Sequence, residues 1–355
     1  MRPLYLLLLA APAALVLDFR GGANPALVFI VSALAMIPLA GLLGQATEEV
    51  AVYTGPKIGG LLNATLGNAA ELIITIVALR EGLVNVVKAS IVGSIVGNIL
   101  IVLGASLLLG GLRWGTQTFD AATAGTNATM LMLVIVSLSV PAIFNMPVAG
   151  ERISPANIIL LSDWLSIVLI VIYALYLAFI LRTNSSVADA AAGHGSSQMH
   201  TPGMKLPVAL GILAAATVGI VVMSEVLVGA IEPTAEAWGL SDMFIGVMLV
   251  PLIGNVAEHL VAVRVALQNK MDLSLGIAVG SGLQIALFVA PLLVLIGEVI
   301  GAPMNLVFHP FELIALIGAG LIAVLVSVDG ESNWLEGAQL IALYVILGVA
   351  FFFAP

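Results

Sequence analysis

Eleven apolar stretches follow one another along the chain, at residues 3–19, 25–54, 57–79, 86–112, 125–147, 156–181, 205–231, 242–267, 273–299, 310–328 and 334–354. Most reach the roughly 20 residues that a helix needs to cross a hydrocarbon layer about 30 Å thick. One aqueous core cannot absorb them all, because the short intervals between stretches supply too little polar surface to coat it. Charged residues fill only 9% of the 355 positions, against about a quarter in soluble domains. The mean hydropathy is +1.19. Lipid is the expected outer solvent, and in lipid the backbone must satisfy its own hydrogen bonds. The expected fold is all-α and integral to the membrane, with about eleven transmembrane helices.

Residues 183–204, TNSSVADAAAGHGSSQMHTPGM, interrupt the apolar pattern and read as a flexible linker. His194 and His200 lie in it and read as solvated loop histidines. The linker leaves five apolar stretches on each side after one extra stretch at the start. The expected divisions are an N-terminal helix over 1–20, a five-helix repeat over 25–182, the linker, and a second five-helix repeat over 205–355. Met1-Arg2, the leucine run and Ala11-Pro12-Ala13 also fit a cleaved secretory leader, with a retained helix as the preferred reading. Arg2, Lys57, Arg113, Arg182, Lys205, Arg264 and Lys270 fall on the N-terminal side of eleven spans, and Arg20, Arg80, Lys88 and Arg152 on the other. That bias points to a cytoplasmic N-terminus and linker. The net charge of −9 argues against nucleic acid as a partner, and the absence of cysteine removes disulfides and thiolate metal sites.

The two halves match at an offset of 187 residues. Thr47, Glu49, Gly59, Gly67, Asn68, Ala70 and Glu71 recur as Thr234, Glu236, Gly246, Gly254, Asn255, Ala257 and Glu258, and Gly93-Ser94 recurs as Gly280-Ser281. Apolar bias alone does not produce identities at polar and glycine positions. Because each half holds five spans, an odd number, the two copies must enter the membrane in opposite directions. That is the inverted-repeat plan of secondary transporters, whose sites lie near the midplane where the repeats meet.

Glu71 and Glu258 sit inside apolar runs, where a charged side chain costs several kcal/mol unless it meets a partner or water. No Lys or Arg lies within a helical turn of Glu71, and Arg264 is nearly two turns from Glu258. A bound cation or a proton is the natural neutraliser. The surroundings suit a hard cation. Asn68, Glu71 and Thr75 share one helix face, and Asn255 and Glu258 repeat the first pair. On the following span of each half come Ser90, Ser94 and Asn98, and then Ser281 and Gln284. Calcium takes six to eight oxygen ligands of this kind. Gly67-Asn68 and Gly254-Asn255, with Pro251 just before the second pair, are expected to interrupt their helices and free backbone carbonyls. His259, beside Glu258, either relays protons or bonds helix to helix. Glu48, Glu49, Glu225, Glu232 and Glu236 lie toward span ends, as an approach route for cations or as solvated helix-end charges.

Two carboxylates at one site have two neutral states, one divalent cation bound or two protons bound. The empty dianion is far costlier to bury. Exchange of a divalent cation for at least two protons follows from that electrostatic choice, with sodium as the rival counter-ion.

At these positions the chain resembles the cation/proton exchangers of the calcium/cation antiporter superfamily. Their paired signatures read here as Gly67-Asn68-Ala69-Ala70-Glu71-Leu72 and Gly254-Asn255-Val256-Ala257-Glu258-His259, with flanks ATEEVAVYTGP, KASIVGSIVGNILIVLG, SEVLVGAIEPTAE and GSGLQIALFVAP. The resemblance implies ten core helices in two inverted halves and calcium/proton antiport by alternating access. It implies that Glu71 and Glu258 bind Ca2+ and H+ in turn, flanked by Asn68, Asn255, Ser94, Asn98, Ser281 and Gln284. Gln284 stands one position short of the repeat mate of Asn98, and Val256 replaces an alanine. Ca2+ is then the transported substrate, and the remaining partners are lipid and, as an open alternative, further copies of the chain. A prokaryotic plasma membrane is the expected location. Sodium-coupled calcium exchange and proton-coupled exchange of another divalent ion are the rivals. An intramembrane enzyme is disfavoured, since the spans lack Gly-x-Ser-x-Gly, His-Glu-x-x-His and Gly-x-Gly-Asp motifs.

Overall fold

The structure, a computed structural model, describes residues 2–146, 153–182 and 203–354. Most of the linker, 183–202, and its two histidines lie outside the described residues. Helices account for nearly everything else. A 3-10 segment, Arg2–Leu9, leads into α1 (Ala10–Arg20). Then come α2 (Pro25–Leu66), α3 (Ala69–Arg80), α4 (Val84–Trp114), α5 (Ala121–Asn145) and α6 (Pro155–Arg182). The second half holds α7 (Leu206–Trp238), α8 (Asp242–Ala266), α9 (Met271–Ile300), α10 (Pro310–Ser327) and α11 (Trp334–Phe353).

Among the described residues, nine helices are long and apolar enough to cross a membrane. The other two of the eleven apolar stretches are helical in pieces. The first is α1 with its 3-10 lead. The second is the latter part of α2, past a break at Gly55 (φ 82°), followed by α3. At 12 residues, α3 alone rises only about 18 Å.

Local chemistry sets the helix ends. Asn24 accepts from the Ala26 N–H, with Pro25 in the first helical position of α2. Asp120 caps α5 through the Thr123 N–H, and Ser241 caps α8 through the Phe244 N–H. His309 and Glu312 cap α10 reciprocally, the Glu312 carboxylate taking the His309 N–H at 2.7 Å. Gly239 and Gly301, both left-handed, close α7 and α9. Hydroxyls inside the spans mostly bond back along their own helix, as Ser32 does to Val28 and Ser139 to Ile135, so that they carry no unmet bond into lipid.

The chain divides into two compact units, each drawing on both halves of the sequence. The first comprises Met1–Ser90, Gln198–Ala257 and Phe352–Pro355. Here α2 lies along α7, with α1 and α3 also against α7. A side chain at Gly219 would meet the Leu39 methyls at 2.9 Å, and one at Gly246 the backbone oxygen of Val86 at 2.9 Å. The second unit comprises Ile91–Ser197 and Glu258–Phe351, with α10 and α9 packed on α5, and α9 also on α6. A two-residue antiparallel ladder, Gln117 opposite Ser332 and Thr118 opposite Glu331, ties the α4–α5 and α10–α11 connections together in this unit.

Candidate ion-binding site

In the first unit the polypeptide leaves helical geometry between α2 and α3, as the Gly67-Asn68 pair predicts. Asn68 has φ −95° and ψ 23°, and helical bonding resumes when the Leu72 N–H reaches the Asn68 carbonyl at 3.0 Å. Asn68 is 2% exposed and Glu71 6%. Glu71 therefore falls in the first turn of α3, where the positive end of the helix dipole favours a carboxylate. Thr75 is buried, but its hydroxyl donates to the Glu71 carbonyl at 2.7 Å, so it braces the backbone of that turn.

The second copy of the motif departs from expectation. Helix α8 runs without interruption through Gly254 and Asn255. Its distortion lies earlier, in a π-helical turn over Ile245–Leu249. Pro251 has no N–H to give Val247, and its ring crowds the preceding turn. The wider π turn takes up that misfit upstream, so the α geometry is intact by residue 254. The side-chain amide of Asn255, itself 2% exposed, donates to the Pro251 carbonyl at 3.1 Å. Within this unit, Gly254 sits against the Glu71 carboxylate: a Cβ built on it would lie 2.7 Å from Glu71 Oε1.

In the second unit, Glu258 is half-buried as a whole. Its Oε2 is closed off from solvent and has no hydrogen-bond partner among the described residues. The Ser281 hydroxyl bonds to the Glu258 carboxylate. The Asn98 side-chain amide donates to that same hydroxyl oxygen at 3.1 Å. A directed chain thus runs from Asn98 on α4 through Ser281 on α9 to Glu258 on α8. Ser94 is buried and Gln284 half-buried. Helical π turns begin at Asn98 (Asn98–Leu103) and just after Gln284 (Ile285–Val289), at positions 187 residues apart. Such turns often mark functional places in a helix. His259 Nε2 is buried and has no hydrogen-bond partner among the described residues.

The acids proposed for an approach route divide. Glu48, Glu225, Glu232 and Glu236 are exposed. Glu49 is tied instead to the end of the linker: it accepts the Met204 N–H at 3.1 Å, and the neighbouring Tyr53 hydroxyl donates to the Met204 carbonyl at 2.7 Å. Sequence reasoning also passed over Asp163, inside α6, whose Oδ1 is buried without a hydrogen-bond partner among the described residues. An acid in the middle of apolar run 156–181 was the available signal.

Helices long enough to span lipid, a motif repeated in both halves of the sequence and buried acids within the repeats are the features of a membrane exchanger. The profile of the sodium/calcium exchanger protein family matches residues 24–182 and 208–353. The chain belongs to that family and is a multi-pass membrane protein. It is 47% identical over 339 residues to the Ca(2+)/H(+) antiporter of Aphanothece halophytica, covering 92% of this chain and 90% of that protein. It is 42% identical over 328 residues to the Ca(2+)/H(+) antiporter ChaA of Bacillus subtilis, covering 92% of each. Native YfkE superimposes with a TM-score of 0.85 at 38% identity, covering 99% of both chains. The H+/Ca2+ exchanger CAX shares the fold, with a TM-score of 0.74 at 14% identity over 99% of this chain and 91% of that one.

Proposed function

We propose that the chain exchanges Ca2+ for protons across a prokaryotic plasma membrane by alternating access, with Glu71 and Glu258 binding each ion in turn. The observation that carries this reading is a pair of repeat-matched glutamates in apolar helices, Glu71 only 6% exposed and Glu258 with a carboxylate oxygen closed to solvent and, among the described residues, without a hydrogen-bond donor. Such acids cost too much to leave charged and unpaired in a low-dielectric interior. Each must hold a metal ion or a proton. The similarity to Ca(2+)/H(+) antiporters supports calcium as the metal, and the oxygen and amide donors around the acids suit it. Asn68, Asn255, Ser94, Asn98, Ser281 and Gln284 supply or orient those donors.

Calcium flux in proteoliposomes under an imposed pH gradient, with no sodium present, tests the reading. Uptake should follow the pH gradient, and Glu71→Gln and Glu258→Gln should each abolish it. Uptake driven only by a sodium gradient would move the chain to sodium-coupled exchange, which the family's name keeps in view.

A further inference from the structure

Glycine in the interior of a helix is a poor choice by propensity, since alanine loses less backbone entropy and shields the helix better. Gly254 stands in the interior of α8 with helical neighbours on both sides. Its backbone does not require glycine, because it is absent from the positive-φ positions of the chain. What requires glycine there is space. The three atoms closest to a Cβ built at 254 all belong to the side chain of Glu71: Oε1 at 2.7 Å, Cδ at 3.1 Å and Cγ at 3.2 Å. Other close glycines divide: Gly110 and Gly203 meet the side chains of Gln117 and Glu49, whereas several meet backbone. Gly246 faces the Ala89 methyl and, at 2.9 Å, the Val86 carbonyl oxygen, and Gly337 faces the Leu108 nitrogen and the Gly104 carbonyl oxygen. Backbone cannot step aside, whereas the end of a glutamate can.

That difference separates a structural glycine from one that governs where a carboxylate rests. Ordinary contact with a Cβ begins near 3.4 Å, so a methyl group at 254 drives Glu71 Oε1 back by about 0.7 Å. Calcium–oxygen bonds are about 2.3–2.6 Å long, and sites of this type tolerate displacements of about 0.5 Å. The helix itself would accept the alanine. The carboxylate would not stay where it is.

We propose that Gly254 is a positioning residue for ion binding: by presenting bare backbone, it fixes where the Glu71 carboxylate waits for its ion. The glycine of one copy of the repeated motif thereby sets the acid of the other copy. This rests on the reading of Glu71 as an ion ligand. It adds that the motif glycine of the second half acts through Glu71.

The test compares Gly254→Ala, Glu71→Asp and the double variant in proteoliposomes, measuring KM for Ca2+ and maximal rate under a pH gradient, with thermal unfolding in detergent alongside. Gly254→Ala should raise the KM about tenfold while the unfolding temperature stays at or above that of the parent. Shortening Glu71 by one methylene returns the space, so Glu71→Asp should do less harm, or even restore affinity, when alanine is already at 254. A parental KM in Gly254→Ala overturns the proposal, as does an Asp effect of equal size in both backgrounds. If Gly254→Ala fails to fold and the double variant folds, the clash with Glu71 stands. If both fail to fold, the clash lies elsewhere and the proposal falls. Glu71→Gln tells the two ideas apart: exchange surviving in Glu71→Gln removes Glu71 as the ligand, whereas its loss beside a silent Gly254→Ala removes only the positioning role.

Discussion

Under the proposed function, Glu258 shows how a single side chain can be made ready for an ion without being neutralised by the protein. Among the described residues one of its oxygens has no donor, and the carboxylate takes a hydrogen bond from Ser281, which is itself held by the Asn98 amide at 3.1 Å. Ser281→Ala removes the donor and leaves the Asn98 amide unsatisfied in a buried place. A hydrogen bond to a charged group is worth about 1.5–3 kcal/mol, so the KM for Ca2+ should rise about tenfold or more in flux measurements. An unchanged KM would mean that the serine only packs. At this scale the burial of the Glu71 side chain and of one Glu258 oxygen was readable from the sequence, because both acids fall in apolar runs. The grip of Gly254 on Glu71 was not readable. The two residues are 183 positions apart, and the sequence shows only that glycine recurs. The hydrogen-bond partners of Thr75 and Glu49 were out of reach for a similar reason. Their places on the chain were right, but Thr75 bonds its own backbone and Glu49 holds Met204.

Helices in lipid associate through close packing at small residues, since lipid gives no hydrophobic drive to bring them together. In the second unit, α4 and α11 cross at Gly104 and Gly337. A Cβ at 337 would stand 2.5 Å from the Gly104 carbonyl oxygen, and one at 104 would stand 2.9 Å from the Leu340 Cβ. Gly337→Ala must push two backbones apart, an overpacking error that costs about 1–3 kcal/mol. Its unfolding temperature in detergent should drop clearly, in contrast to Gly254→Ala, where only a flexible side chain yields. The elements themselves were largely legible, because apolar length acts locally, whereas caps such as Asn24, Asp120 and Ser241 were found only in the structure. The break at Gly67-Asn68 was legible too. The matching break at Gly254-Asn255 was expected and is absent, since the misfit of Pro251 is absorbed in the π turn at Ile245–Leu249. A proline announces that a helix must adjust but not on which turn it does so.

For the whole molecule, the repeat and the compact units are different partitions of one chain. The repeat cuts at the linker, whereas each unit takes segments from both halves. Sequence comparison finds the first partition and cannot find the second, which depends on long-range packing. The orientation expected from charge placement, with a cytoplasmic linker, has its own test. The chain holds no cysteine, so single cysteines report without background. With the linker in the cytoplasm, a membrane-impermeant maleimide applied to intact cells should label Glu81→Cys, in the α3–α4 connection, and spare Ser197→Cys until the cells are opened. The reverse pattern would invert the topology.

The Asn98–Ser281–Glu258 chain also bears on how hydrogen ions travel. Hopping conduction needs every link both to receive and to pass on a proton, and a carboxamide nitrogen does not surrender one at ordinary pH. Ser281 takes its hydrogen bond from such a nitrogen, so the line is a cul-de-sac that aims the acid without supplying it. In the proposed exchange, protons reach Glu258 by its far oxygen, over water admitted from whichever face is open, and delivery is thereby yoked to the opening of that face.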